Sequence, residues 1–123
     1  MTTPLNMLAI DLAKGSFQVC AIGQDGAVLY NRVLSRTRLA ALLAEQQSCI
    51  VAMEACATSH YWGRVAQSHG HEVRLVPAAY VKPFVKRQKN DKADAEAIAE
   101  AASRPTMRFV AVKSAETQGR AVA

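Results

Sequence analysis

Cysteine is scarce and badly placed for cross-linking. The chain of 123 residues has three, Cys20, Cys49 and Cys56. The count is odd, no CxxC occurs, and all three sit in or beside apolar strand-like runs. Buried free thiols in a reducing compartment are therefore expected, rather than disulfides. The first residues, MTTPLN, lack the basic stretch and apolar run of an export signal. No run reaches the roughly 18 apolar residues of a membrane helix. The expected location is cytoplasmic, with no membrane partner. No GxxxxGK[ST] motif is present, so Lys14-Gly15-Ser16 is not a P-loop. Histidine is limited to His60, His69 and His71. His69-Gly70-His71 lacks the further ligands of a soft-metal site and reads as a surface turn. His60 follows Glu54 closely and is read as lying outside any site. Trp62, at helical spacing, reads as core. There is no internal repeat and no low-complexity segment beyond a mild alanine bias.

What is present is ordinary globular material with a basic surplus. Half the residues are hydrophobic, a fifth are charged, and the formal net charge is +5. One domain with a real core is expected, and an acidic partner is favoured.

Leu5 to Ala13 reads as a buried strand. Lys14-Gly15-Ser16 is a turn, and Phe17 to Ile22 a second strand. Gly23-Gln24-Asp25-Gly26 is a turn signal before a third strand, Ala27 to Leu34, so the start is an antiparallel meander. Ser35 or Thr37 caps a helix to about Gln47, with Leu39, Leu42 and Leu43 on one face. Cys49 to Glu54 is apolar throughout until its last residue, as a central strand should be. Thr58 or Ser59 caps a second helix to about Ser68, with Tyr61, Trp62, Val65 and Ala66 apolar, and Gly70 ends it. Glu72 to Pro77 is a fifth strand. Pro83 argues against one continuous helix over 78–89. Asp91 to Ser103 is helical, stopped by Arg104-Pro105. Arg108 to Val112 reads as a final strand. Ser114-Ala115-Glu116 reads as the cap of another helix seven residues before the sequence stops, which suggests a fragment or a truncated product. The expected fold is α/β, a ribonuclease H-like mixed five-stranded sheet with helices on both faces. Residues 1–113 would form the domain, and 114–123 the start of a helical linker.

Four acids stand out against this frame. Asp11 lies within the first apolar run, and Glu54 ends the fourth strand. Asp91 and Asp94 are three apart and share a helix face, whereas Glu96 and Glu100 fall out of phase with them. A buried carboxylate is costly unless a cation or hydrogen-bond donors meet it. Acids in a first helical turn are also favoured by the helix dipole alone. Taken together, Asp11, Glu54, Asp91 and Asp94 suit divalent metal, because Mg²⁺ prefers hard oxygen ligands. Two such ions about 3.5–4 Å apart serve phosphoryl transfer. Beside them lie Lys82, Lys86, Arg87, Lys89 and Lys92, offset only by Asp91, with Tyr80 and Phe84 interleaved. Such a cluster holds phosphate backbones, and the aromatics could stack on bases. The bland reading is a solvated face with two core aromatics.

The runs Ala9-Ile10-Asp11-Leu12-Ala13-Lys14, Met53-Glu54-Ala55-Cys56-Ala57-Thr58 and Lys89-Asn90-Asp91-Lys92-Ala93-Asp94-Ala95 resemble the motifs of a group of insertion-sequence transposases. That group carries an amino-terminal DEDD domain similar to RuvC-type resolvases. It is related to Piv-type DNA invertases and to bridge-RNA-guided recombinases. The resemblance spans roughly Leu8 to Glu116. It implies a RuvC-like domain whose tetrad Asp11, Glu54, Asp91 and Asp94 binds Mg²⁺, or Mn²⁺ as a substitute. It further implies DNA strand cleavage and transfer in a full-length protein, a guide RNA and a homo-oligomer. Family members also have a carboxyl-terminal domain with a serine nucleophile, which no serine here matches. Two other readings compete. One is an inactive remnant that only binds nucleic acid or dimerises. The other is an actin-like sugar-kinase lobe, which would need a glycine-rich phosphate loop and would leave Asp91 and Asp94 unexplained.

Overall fold

The computed structural model describes residues 5–12, 15–85 and 90–122, with side chains to residue 119. Five strands form one sheet: β1 (Leu5–Leu12), β2 (Phe17–Gly23), β3 (Val28–Leu34), β4 (Ile50–Glu54) and β5 (Glu72–Val76). Their spatial order is β3-β2-β1-β4-β5. β1–β2 and β2–β3 are antiparallel, while β1–β4 and β4–β5 are parallel. This is the expected ribonuclease H-like arrangement. The hairpin turn between β2 and β3 needs Gly26 at φ +85, and Ala27 N donates to Asp25 Oδ1 there.

The period of two along each strand divides the core into two layers. Leu8, Ile10, Val19, Val51 and Met53 face α1 (Arg36–Glu45) and α2 (Ala57–Ser68), meeting Leu39, Leu43 and Trp62. Met7, Ala9, Cys20 and Ala52 face the other way, towards α4 (Asp91–Ala102) and Val81 of the short α3 (Ala78–Val81). Alanine dominates this second layer. Ala95, Ala97, Ala99, Ala101 and Ala102 of α4 are buried, so the helix lies close over β1 and β2. α1 starts at Ser35, whose hydroxyl accepts from Arg38 N, and α4 at Asn90, whose side chain accepts from Ala93 N at 2.8 Å. Pro83 sits in a 3₁₀ turn, Lys82–Phe84, which ends the short α3.

Several local expectations are corrected. α2 begins at Ala57, capped by Cys56, with Cys56 N donating to Ser59 Oγ at 2.9 Å. Neither Thr58 nor Ser59 is itself the cap. Tyr61 is exposed rather than part of the apolar face. Arg108 to Val112 forms no strand: Val110 makes a single antiparallel bridge to Leu75. Arg74 lies over the Phe109 ring, and Val112 packs on Gly63, so side-chain anchors rather than a ladder hold this segment. Cys20 is buried and Cys49 half-buried, but Cys56 is exposed at the start of α2. His71 is not in a surface turn. It is 5 % exposed, its Nδ1 accepts from Cys49 N at 3.2 Å, and its Nε2 lies 2.7 Å from Leu43 O. A final helix, α5 (Ala115–Val122), follows Ser114, whose hydroxyl accepts from Thr117 N.

Candidate metal centre

β1, β4 and β5 run parallel, so their carboxyl ends lie together, and α2 and α4 start at that same end. Asp11 stands two residues beyond Ala9 on the face that α4 covers. Glu54 stands two beyond Ala52 and faces the same way. The Ile10↔Met53 pairing makes them neighbours across the β1–β4 seam. Asp91 and Asp94 occupy the first turn of α4, where the helix's positive end favours anions. Carboxylate oxygens of Asp11, Asp91 and Asp94 lie within 4.8 Å of one another. Glu54 lies outside that group of three, yet close enough that its charge acts on Asp11.

The Asp11 carboxyl is pushed up from 3.8 to about 6 by burial first, then by Asp94, Asp91 and Glu54. Three like charges thus act on one half-buried acid, and no cation among the described residues forms an ion pair with it. Such a set favours uptake of a proton or approach of a cation. Its donors are hard oxygens, which match Mg²⁺ or Mn²⁺ rather than a thiol-seeking metal.

Two residues that the sequence reading passed over hold this end together. Gln18 of β2 pairs with Asp11 in register and is 4 % exposed. Its Nε2 donates to Asn31 Oδ1 at 2.8 Å, and Asn31 Nδ2 donates to Lys92 O at 3.0 Å. This relay ties β2 and β3 to the first turn of α4. That turn carries Asp91 and Asp94. A polar residue within each of two adjacent strands was the available signal, but only the register makes them partners.

Of the basic cluster, Lys82 and Lys92 are exposed. Lys86, Arg87 and Lys89 lie outside the described residues. Tyr80 is exposed, and Phe84 is partly buried beneath the Arg104 guanidinium, 5.0 Å from its ring centre. His60 is buried, and its Nδ1 accepts from Lys113 N at 3.1 Å, so it anchors the segment before α5 and stands apart from the carboxylates.

The strand order and the acids at the carboxyl ends of β1 and β4 define the class: a ribonuclease H-like domain with a carboxylate cluster. The chain belongs to the IS110 DEDD transposase family, whose model, described as "Transposase", matches residues 8–119. It is 48 % identical over 114 residues to a probable family 20 transposase of Pseudomonas aeruginosa, covering 93 % of this chain and 34 % of that protein. Identity is 43 % over 114 residues with the transposase for insertion sequence element IS1328 of Yersinia enterocolitica, again 93 % of this chain and 34 % of the relative. With the transposase for IS1111A of Coxiella burnetii it is 42 % over 114 residues, covering 93 % and 31 %. The chain therefore spans about a third of the length of these relatives.

Proposed function

We propose that this chain is the metal-binding part of a DNA transposase or site-specific recombinase. Asp11, Glu54, Asp91 and Asp94 would hold Mg²⁺, with Mn²⁺ as a substitute. The observation that carries this reading is the convergence of Asp11, Asp91 and Asp94 from two distant segments onto one point, without a neutralising cation among the described residues. Their meeting costs stability through repulsion, which a bound cation would offset. Bound metal would activate an attacking oxygen and stabilise a leaving one at phosphorus. The protein's own task is to hold the carboxylates in register, which the Gln18–Asn31–Lys92 relay does. Lys82, Lys86, Arg87, Lys89 and Lys92 would hold the DNA backbone through contacts that carry no sequence information. Residues 1–113 would act as the domain, with 114–123 leading into a helical linker. A guide RNA, a homo-oligomer and a cytoplasmic location complete the proposal; the basic charge supports only its nucleic-acid part.

The test is a crystal soaked in Mn²⁺ and read by anomalous scattering, paired with Mn²⁺ titration in solution. One peak bounded by Asp11, Glu54 and at least one of Asp91 and Asp94 is expected, and Asp94→Asn should weaken binding at least tenfold. In a full-length relative carrying this domain, Asp11→Asn or Asp94→Asn should abolish strand transfer while leaving the fold intact. Equal Mn²⁺ affinity in wild type and Asp94→Asn would remove that residue from the site. Intact nucleic-acid binding with no metal binding at all would favour a non-catalytic module instead.

A further inference from the structure

A second surface of the chain has its own chemistry. Tyr80 on α3 is 50 % exposed. With Arg104, Pro105, Thr106, Met107 and Arg108 it lines a groove of about 400 Å³. Arg108 is exposed. Arg104 lies over Phe84 and pairs loosely with Glu100 at 3.3 Å, an exposed contact that competes weakly with a ligand. Lys82 follows Tyr80 by two residues and is also exposed. Arg104 comes thirteen residues after Asp91. α4 spans twelve residues from Asp91 to Ala102, about 16 Å of helical rise, so Arg104 just beyond its far end, and the groove with it, is separate from the carboxylates.

We propose that this groove takes an unpaired nucleotide of a single nucleic-acid strand, with its base on the Tyr80 ring and its phosphates on Arg104 and Arg108. An exposed aromatic face is sequence-tolerant because every base stacks. Arginines at the rim supply the phosphate contacts, and Arg104 is oriented by its stack on Phe84. A duplex keeps its bases stacked on each other and leaves the tyrosine unused. A peptide of aspartate and glutamate alone meets the arginines but has no flat ring to place. This inference rests on the chain handling nucleic acid, and is independent of metal at the carboxylates.

The test is fluorescence anisotropy with the whole 123-residue chain and three labelled 12-mers: oligodeoxyuridylate, oligouridylate and a mixed DNA duplex. At least one single strand should bind several-fold tighter than the duplex. Tyr80→Ala should weaken that binding roughly tenfold or more and leave duplex binding unchanged, whereas Tyr80→Phe should restore it. Arg108→Gln should lower the slope of log affinity against log salt by about one. A preference for either the deoxy or the ribo strand, lost in Tyr80→Ala, supports the proposal and names the source of the strand. The same affinities measured in EDTA and in Mn²⁺ should show the same single-strand preference and the same loss in Tyr80→Ala, so a failed metal site and a failed groove are told apart. Duplex binding as tight as both single strands would overturn the proposal, as would unchanged affinity in Tyr80→Ala. Equally effective competition by polyglutamate of the same charge would also overturn it. Thermal melts of Tyr80→Ala and Tyr80→Phe check that both variants fold.

Discussion

Asp11 sets the behaviour of the site at the scale of one residue. Its carboxyl is raised from 3.8 to about 6, so the folded state binds that proton more tightly than the unfolded state does. Its contribution to stability is then fully present below about pH 4 and is lost as pH rises through about 6. The loss is on the order of 1–2 kcal/mol after allowing for solvent screening. In metal-free buffer, Asp11→Asn should melt higher than wild type at pH 7.5, and the two should converge below pH 4. Thermal melts across that range check it. Saturating Mn²⁺ should reverse the order at pH 7.5, because a ligand held only by the folded wild type raises its midpoint. A variant that melts lower than wild type in metal-free buffer would mean that Asp11 is paired by something that offsets its neighbours.

Among the elements, α4 decides whether the acids meet, through its alanines and through Asn31. Ala95 is fully buried against the sheet. Ala95→Leu should overpack that layer and destabilise the fold by about 1–3 kcal/mol. The lifted helix should also carry Asp94 away from Asp11 and weaken Mn²⁺ binding. Asn31→Ala is the gentler probe. It leaves the buried Gln18 amide without its partner, costing about 1–3 kcal/mol, and frees the first turn of α4. Mn²⁺ affinity should fall several-fold while the circular dichroism of the folded chain stays the same. Unchanged affinity in Asn31→Ala would mean that Asn90 and the alanine layer seat the helix unaided.

That Asp11, Asp91 and Asp94 meet was legible in the sequence, because a single carboxylate interrupts the apolar run at Asp11 and a helical spacing joins Asp91 to Asp94. So was the strand order, from turn signals and alternation. The relay was not, since hydrogen bonds between Gln18, Asn31 and Lys92 depend on a register and a helix position that no local pattern encodes. His71 was misread for a similar reason. Its ring fills a gap between β4 and α1 that exists only after folding. The segment 108–112 has strand composition, but it meets the sheet at Val110 alone.

For the whole molecule, charge is what a nucleic acid would meet first. Four of the five net positive charges lie between residues 82 and 92. Replacing Lys82 and Lys92 with glutamine should reduce the salt slope of duplex DNA binding by about two in total. The loss should be the same for any DNA sequence tested. A sequence-dependent loss would mean that one of these lysines reads bases rather than phosphates.

The parallel seam between β1 and β4 has a kinetic consequence. The β1–β2–β3 hairpins join neighbours in the chain and form with short loop closures, but the Met7↔Ile50 pairing must enclose all the residues between, and α4 then returns from beyond residue 90 to cover β1. Non-local pairings of this kind form late and slowly. Asp11 therefore meets Glu54 only when this seam closes, and the repulsion from Asp91 and Asp94 arises only as α4 docks. Divalent cations should leave the early hairpin phase untouched and act almost wholly by slowing the unfolding limb of a chevron.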